Sequence, residues 1–232
     1  MARKKDEKPK PAIEFGRLAL LPGNQGSYLR NVKPGHWAAV ALEVIANRSD
    51  LSGALEVAVV GKQGRPVALP GTPFRLATRR PVVLAKKQRK SFETTFFLPT
   101  DGSTARVQTR LVARSGGERF ENTEFFSAMP NYQYLFAILA DEPDRYTFIK
   151  VLDSVRAPWE EASSWQPITY YQVLNAKTDR RVTLPSNSCV WSTIAYLLWD
   201  DIEPSSLTGP QQIALVDWLH WGGQLIISGP GS

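Results

Sequence analysis

Along this chain the apolar positions change rhythm once. Through residues 13–128 apolar and polar residues come in short alternating runs, the period of strands with one buried face. Residues 105–113 show it most clearly, with Val107, Thr109, Leu111 and Ala113 on one face and Arg106, Gln108 and Arg110 on the other. Residues 36–46 (HWAAVALEVIA) and 54–60 (ALEVAVV) are Val-rich runs separated by a turn cluster over 47–53. Further runs occupy 81–85, 91–98 and 119–127, with Gly61, Gly64, Asp101-Gly102 and Gly116-Gly117 in the turns. Roughly seven strands without a helical period predict an immunoglobulin-like β-sandwich over residues 13–129.

After Met129-Pro130 the rhythm differs. Residues 134–140 (YLFAILA) form an unbroken apolar run, as strands buried on both faces do. Pro143 suits a helix start, and Phe148, Ile149, Leu152 and Val155 follow at helical spacing. Residues 157–167, with Pro158, Trp159 and Trp165, read as a loop. Residues 168–174 and 192–199 read as a second and a third strand. Thr208 with Gln211 forms a capping box for a helix that is expected to bury Ile213, Leu215, Val216 and Leu219 and to stop at Gly222. Residues 224–227 are the fourth strand. Strands alternating with helices predict a parallel α/β sheet over 130–232, flavodoxin-like and truncated, as the second of two domains.

Composition adds bounds. Hydrophobic residues make up 43% and include seven Trp, ample for a core. Of the net charge of +6, half comes from residues 1–10, where Arg3, Lys4, Lys5, Lys8 and Lys10 outweigh Asp6 and Glu7. Residues 1–12 thus read as a basic flexible tail. No apolar run approaches the ~20 residues that span a bilayer, and the tail lacks the apolar core of a signal peptide. A signal or membrane anchor is left open outside these residues.

Candidate chemistry gathers at the strand ends, where open α/β sheets bind ligands. Asp141 and Glu142 follow the first strand, Asp200 and Asp201 the third, and Ser228 and Gly229 the fourth. If the first and third strands are neighbours, Asp141 and Asp200 face one crevice and offer oxygen ligands to a hard cation such as Mg²⁺. The alternative is that these acids cap helix N-termini. The loop Gly229-Pro230-Gly231 matches no phosphate-binding motif. Cys189 is the sole cysteine and lacks a nearby base in the sequence, so a buried, inert role is expected. His36 and His220 are the only histidines, too few with one cysteine for an ordinary zinc site. Arg79, Arg80, Lys86, Lys87, Arg89 and Lys90 form a basic stripe that either guards a sheet edge or binds an anionic polymer. Nothing marks a specific nucleic-acid reader, and no cofactor is expected.

The apolar run into Asp141-Glu142-Pro143, the strand into Asp200-Asp201, and residues 218–231 (WLHWGGQLIISGPG) together resemble the N-terminal part of a class I glutamine-amidotransferase-like domain. Such domains are flavodoxin-like, and in large bacterial envelope proteins they follow immunoglobulin-like sandwiches. The resemblance implies a membrane-associated, extracytoplasmic setting. Active members carry a Gly-x-Cys-x-Gly elbow after a strand. Here Ser228-Gly229-Pro230-Gly231 has no Cys, so such an elbow, with its His and Glu, would lie beyond Ser232. The expected function is therefore a non-catalytic binding or scaffolding module, with a protein partner or self-association through the uncovered edge at 224–227. The alternatives are a hydrolase or amidotransferase-like enzyme completed beyond Ser232, and a polyanion binder using residues 79–90.

Overall fold

The computed structural model describes residues 11–23, 31–99, 104–114, 119–152, 170–178 and 181–228. The basic tail, the loop expected over 157–167 and Gly229 lie outside them. The first half contains β1 (Ile13–Leu21), β2 (Asn31–Val32), β3 (Trp37–Ala46), β4 (Leu51–Val59), β5 (Thr78–Leu84), β6 (Arg89–Phe97), β7 (Thr104–Ala113) and β8 (Arg119–Ala128). They form a three-stranded sheet in the order β1-β3-β6 and a five-stranded sheet in the order β2-β8-β7-β4-β5. The first is antiparallel. The second is mixed, because β2 runs parallel to β8.

Alternating side chains from both sheets meet in one core. Val40, Leu42 and Val44 of β3 pack with Leu55 and Val57 of β4, Phe92 and Phe96 of β6, Val107 and Leu111 of β7 and Phe126 of β8. The rings of Phe96 and Phe126 stack with centroids 6.1 Å apart. The run 36–46 is apolar on both sides for a physical reason. Ala38, Val40 and Leu42 face the sandwich core, while Ala39 and Ala41 face Val190 of the second half. An antiparallel strand covered on both faces loses its polar alternation.

The second half contains β9 (Tyr134–Ala140), β10 (Tyr171–Asn175), β11 (Lys177–Thr178), β12 (Arg181–Val182), β13 (Ile194–Asp200), α1 (Gly209–His220) and β14 (Gln224–Ser228). The order β10-β9-β13-β14 makes a four-stranded sheet with all neighbours parallel. Leu135, Ala137 and Leu139 of β9 face α1 and Trp191; Phe136, Ile138 and Ala140 face Ile149 and a set of tyrosines. At the end of α1, Gly222 takes φ 93°, a left-handed stop. Gly223 is obligatory: a Cβ there would lie 2.2 Å from the Trp218 ring.

The expected fold class and the resemblance behind it are corrected. The molecule is mostly β, 53% strand against 16% helix, with mixed and antiparallel sheets and a curled half-barrel. A flavodoxin-like or glutamine-amidotransferase-like domain requires α-helical layers on both sheet faces. Among the described residues α1 is the only α-helix. The crossover expected to be helical from Pro143 is a 3-10 segment, Pro143–Val151. Side chains three apart eclipse in that geometry, so it presents one narrow row to the sheet. Tyr146 and Ile149 fill that row, while Phe148 and Leu152 stay exposed. With the family resemblance removed, the envelope setting it implied has no support.

The expected face of α1 is corrected in part: Leu215 and Leu219 pack half-buried against the core as expected, and Ile213 and Val216 do not. Ala214 and Trp218 are buried, but Ile213 is 66% and Val216 49% exposed. Trp218 decides the orientation, since its ring packs on Trp191 at 5.4 Å and its indole Nε1 donates to Ile194 O at 3.1 Å. Among the described residues no helix is long and apolar enough to cross a membrane.

Candidate functional site

Strand register brings the named strand ends together. Asp200 pairs with Ala140 on one side and Ser228 on the other, so Asp141, Asp200 and Ser228 line one end of the parallel sheet. Parallel neighbours in register terminate at one level, which is why the ends converge.

The carboxylates at this end are already engaged. Asp141 is exposed and pairs with Lys177 Nζ. The Asp200 side chain is only 9% exposed and lies 3.9 Å from Arg145 Nη1. Arg145 Nε also lies 3.9 Å from Glu142, so one guanidinium sits between two acids. Asp201 is exposed and holds φ 50°, a left-handed conformation that Asp tolerates better than most residues. Ser228 is half-buried at the end of β14. Among the described residues no group of three or more His, Cys, Asp or Glu is arranged to hold a metal ion. Asp141 and Asp200 are the residues that would have to bind one, and each would first have to release its cation. Tyr171, the first residue of β10 at the opposite end of the sheet, keeps its phenol above its ordinary pKa through burial and the neighbouring Tyr196. It therefore supplies no phenolate at neutral pH.

The remaining candidates are scattered. Cys189 is exposed, contrary to the buried role expected for it. It lies in the first turn of a 3-10 segment, Ser188–Thr193, where its backbone N–H donates to Asn187 Oδ1 at 3.0 Å. The following residues, Val190 and Trp191, take the buried positions instead. His36 lies 3.0 Å from Pro34 O, with its ring edge-on to Tyr134. His220 ends α1, exposed.

The basic stripe runs up β5, over a turn at Lys87 and down β6, from one sheet to the other. Arg79 is 3.5 Å from Glu56 and Arg89 is 3.6 Å from Glu43. Arg80 donates to Glu93 O, and both Arg80 and Lys90 lie over the Phe92 ring. Lys86 and Lys87 are exposed, and among the described residues no acidic side chain pairs with their ammonium groups.

Two features escaped the sequence reading. Lys33 is buried, 3% exposed, where the two halves meet; its Nζ donates to Asn131 O and Gln133 O and lies 3.8 Å from the Tyr134 ring centroid. Desolvation lowers its pKa. A lone lysine between turn residues gave no periodic signal. The second feature is a trough of about 740 Å³ on the outer face of the five-stranded sheet, along Ser52, Gly53 and Ala54. Its signal was that trio of small residues inside a strand, flanked in space by Pro81, Val83 and Val112.

No family model matches the sequence, and no curated protein matches it. Three solved structures illustrate the likenesses. The sporulation control protein Spo0M from Bacillus subtilis is 14% identical with a TM-score of 0.34 over 52% of this chain, which spans about half (51%) of that one. A Niemann-Pick type C2 protein from the Japanese carpenter ant is 9% identical at a TM-score of 0.34, over 52% of this chain and 93% of that one. A family 123 glycoside hydrolase from Clostridium perfringens is 9% identical at a TM-score of 0.34, over 62% and 33%. At these values none transfers a fold or a function.

Proposed function

We propose that the chain is a non-catalytic binding or scaffolding module. The observation that carries this reading is the pairing of the strand-end carboxylates: Asp141 with Lys177, and Asp200 with Arg145. A carboxylate shared with a side-chain cation is a poor ligand for a hard metal ion, which would meet like charge there. β14 is an edge strand with no further strand beside it among the described residues, and its exposed Ile226 and Ile227 support a protein partner or a second copy as one occupant. Lys86, Lys87 and Lys90 keep an anionic polymer as the second partner class, and its signature is binding that falls steeply with salt.

Titration with Mg²⁺ and Ca²⁺ tests the main reading. No saturable binding is expected up to millimolar concentration. Saturable binding removed by Asp141→Asn or Asp200→Asn would overturn it in favour of a metal-dependent hydrolase site.

A further inference from the structure

On the outer face of the five-stranded sheet, register arranges the side chains in rows. One row is Arg79, Glu56, Arg110 and Glu121 on β5, β4, β7 and β8. Arg79 pairs with Glu56 at 3.5 Å and Arg110 with Glu121 at 2.7 Å, so this row neutralises itself. The next row runs through the apolar Pro81, Ala54 and Val112 and ends at Arg119 on β8. In the row beyond, Val83 lies opposite Ser52, and Arg114 is tied to Ser52 through its backbone N–H.

The trough exists because its floor is small and its walls are not. A Cβ on Gly53 would sit 2.3 Å from Val112 O, so β4 and β7 approach closely there. Val83, 67% exposed, and Val112 rise on either side of Ser52 and Ala54. The volume of about 740 Å³ falls within the ~300–1,000 Å³ of small-molecule sites. The charges decide what fits. Arg79 is matched by Glu56, but the Arg114 guanidinium has no ion-pair or hydrogen-bond partner among the described residues.

We propose that this trough binds a fatty carboxylate, with the apolar chain along Val83, Pro81, Ala54 and Val112 and the head group on Arg114. One unmatched guanidinium balances one carboxylate and can take it bidentately. A phosphate monoester, with a charge of about −1.5 to −2 at neutral pH, would exceed the one unmatched guanidinium among the trough's described lining residues. The proposal rests on the binding-module reading only in that the ligand is released unchanged.

Calorimetric titration of the whole chain with octanoate, decanoate and dodecanoate below their micelle concentrations tests it. Affinity should rise about fourfold per two added carbons, half the slope of full burial in an open trough. Arg114→Gln should weaken decanoate about tenfold and leave decanol unchanged, the loss of one charge-assisted contact. Val83→Asp, at an exposed position where folding is insensitive, should abolish binding of both. The idea is overturned if decanoate fails to bind at millimolar concentration. It also fails if neither variant changes binding, or if only anionic vesicles bind and the free acid does not. Recovery of the acid chemically altered would keep the trough and sink the binding-module reading, so the two failures are distinguishable.

Discussion

Lys33 shows at the scale of one residue how the fold constrains chemistry. Among the described residues its ammonium meets two backbone carbonyls and a tyrosine ring, and no acidic side chain. Burial penalises the charged form, which is why its pKa falls below 10.5. The unfolded chain then binds more protons than the folded one between the folded pKa and 10.5, so this residue's contribution to stability rises with pH across that window. Lys33→Met removes the titration but leaves Asn131 O and Gln133 O without their donor, costing about 1–3 kcal/mol at neutral pH. The gap between wild type and variant should widen as pH climbs through that window, read by urea denaturation at several pH values. A gap that stays constant with pH would mean that Lys33 is not desolvated. The lysine was illegible in sequence because its burial comes from Tyr134 and the 131–133 turn, about a hundred residues away. Cys189 misled for the converse reason: being a small thiol suggested burial, but its 3-10 turn gives the buried positions to Val190 and Trp191.

At the scale of elements, strand positions were legible and helix geometry was not. The continuous run 134–140 and the alternation in 105–113 depend on periods that the sheet itself imposes, and both strands lie where those patterns fall. The helical spacing of Phe148, Ile149, Leu152 and Val155 after Pro143 contains the three-residue step from Ile149 to Leu152, which 3-10 geometry satisfies as well; Val155 lies outside the described residues. The same limit applies to α1. Ile213 and Val216 make an apolar row at helical spacing, yet Ala214 and Trp218 make another, and only contact with Trp191 chooses between them. The choice predicts an order of effects. Ile213→Lys should change stability by no more than about 0.5 kcal/mol, as an exposed substitution does. Ala214→Leu should cost about 1–3 kcal/mol by overpacking against the sheet. Urea midpoints in the reverse order would restore the face that the hydrophobic pattern suggested. The strand ends were half legible: their convergence followed from the parallel register, but the cations that occupy them came from Arg145 and Lys177, which no motif marked.

For the whole molecule, the junction between the halves decides whether the sandwich and the parallel sheet are separate units. Val190 is fully buried against Ala39 and Ala41 on the back of β3. Glu93 of β6 accepts from Ser186 N and Ser186 Oγ, both at 2.7 Å. Asn31 donates to Gln172 Oε1 at 2.9 Å, and Gln172 donates to Gln133 Oε1 at 2.9 Å, which extends the seam. A sandwich cut from its neighbour would expose the back of β3, a face of small apolar residues that no water-facing strand carries without cost. The halves should therefore unfold together. Val190→Ala removes two methyl groups from a closed site, a loss of about 1–3 kcal/mol. In a cooperative molecule that loss shifts amide-exchange protection in β7 and in β9 by the same amount, although only β9 shares a half with Val190. A shift confined to β9, or two resolved transitions in the wild type, would make the halves independent domains. In that case the trough on the sandwich and the strand ends of the parallel sheet would be free to act separately.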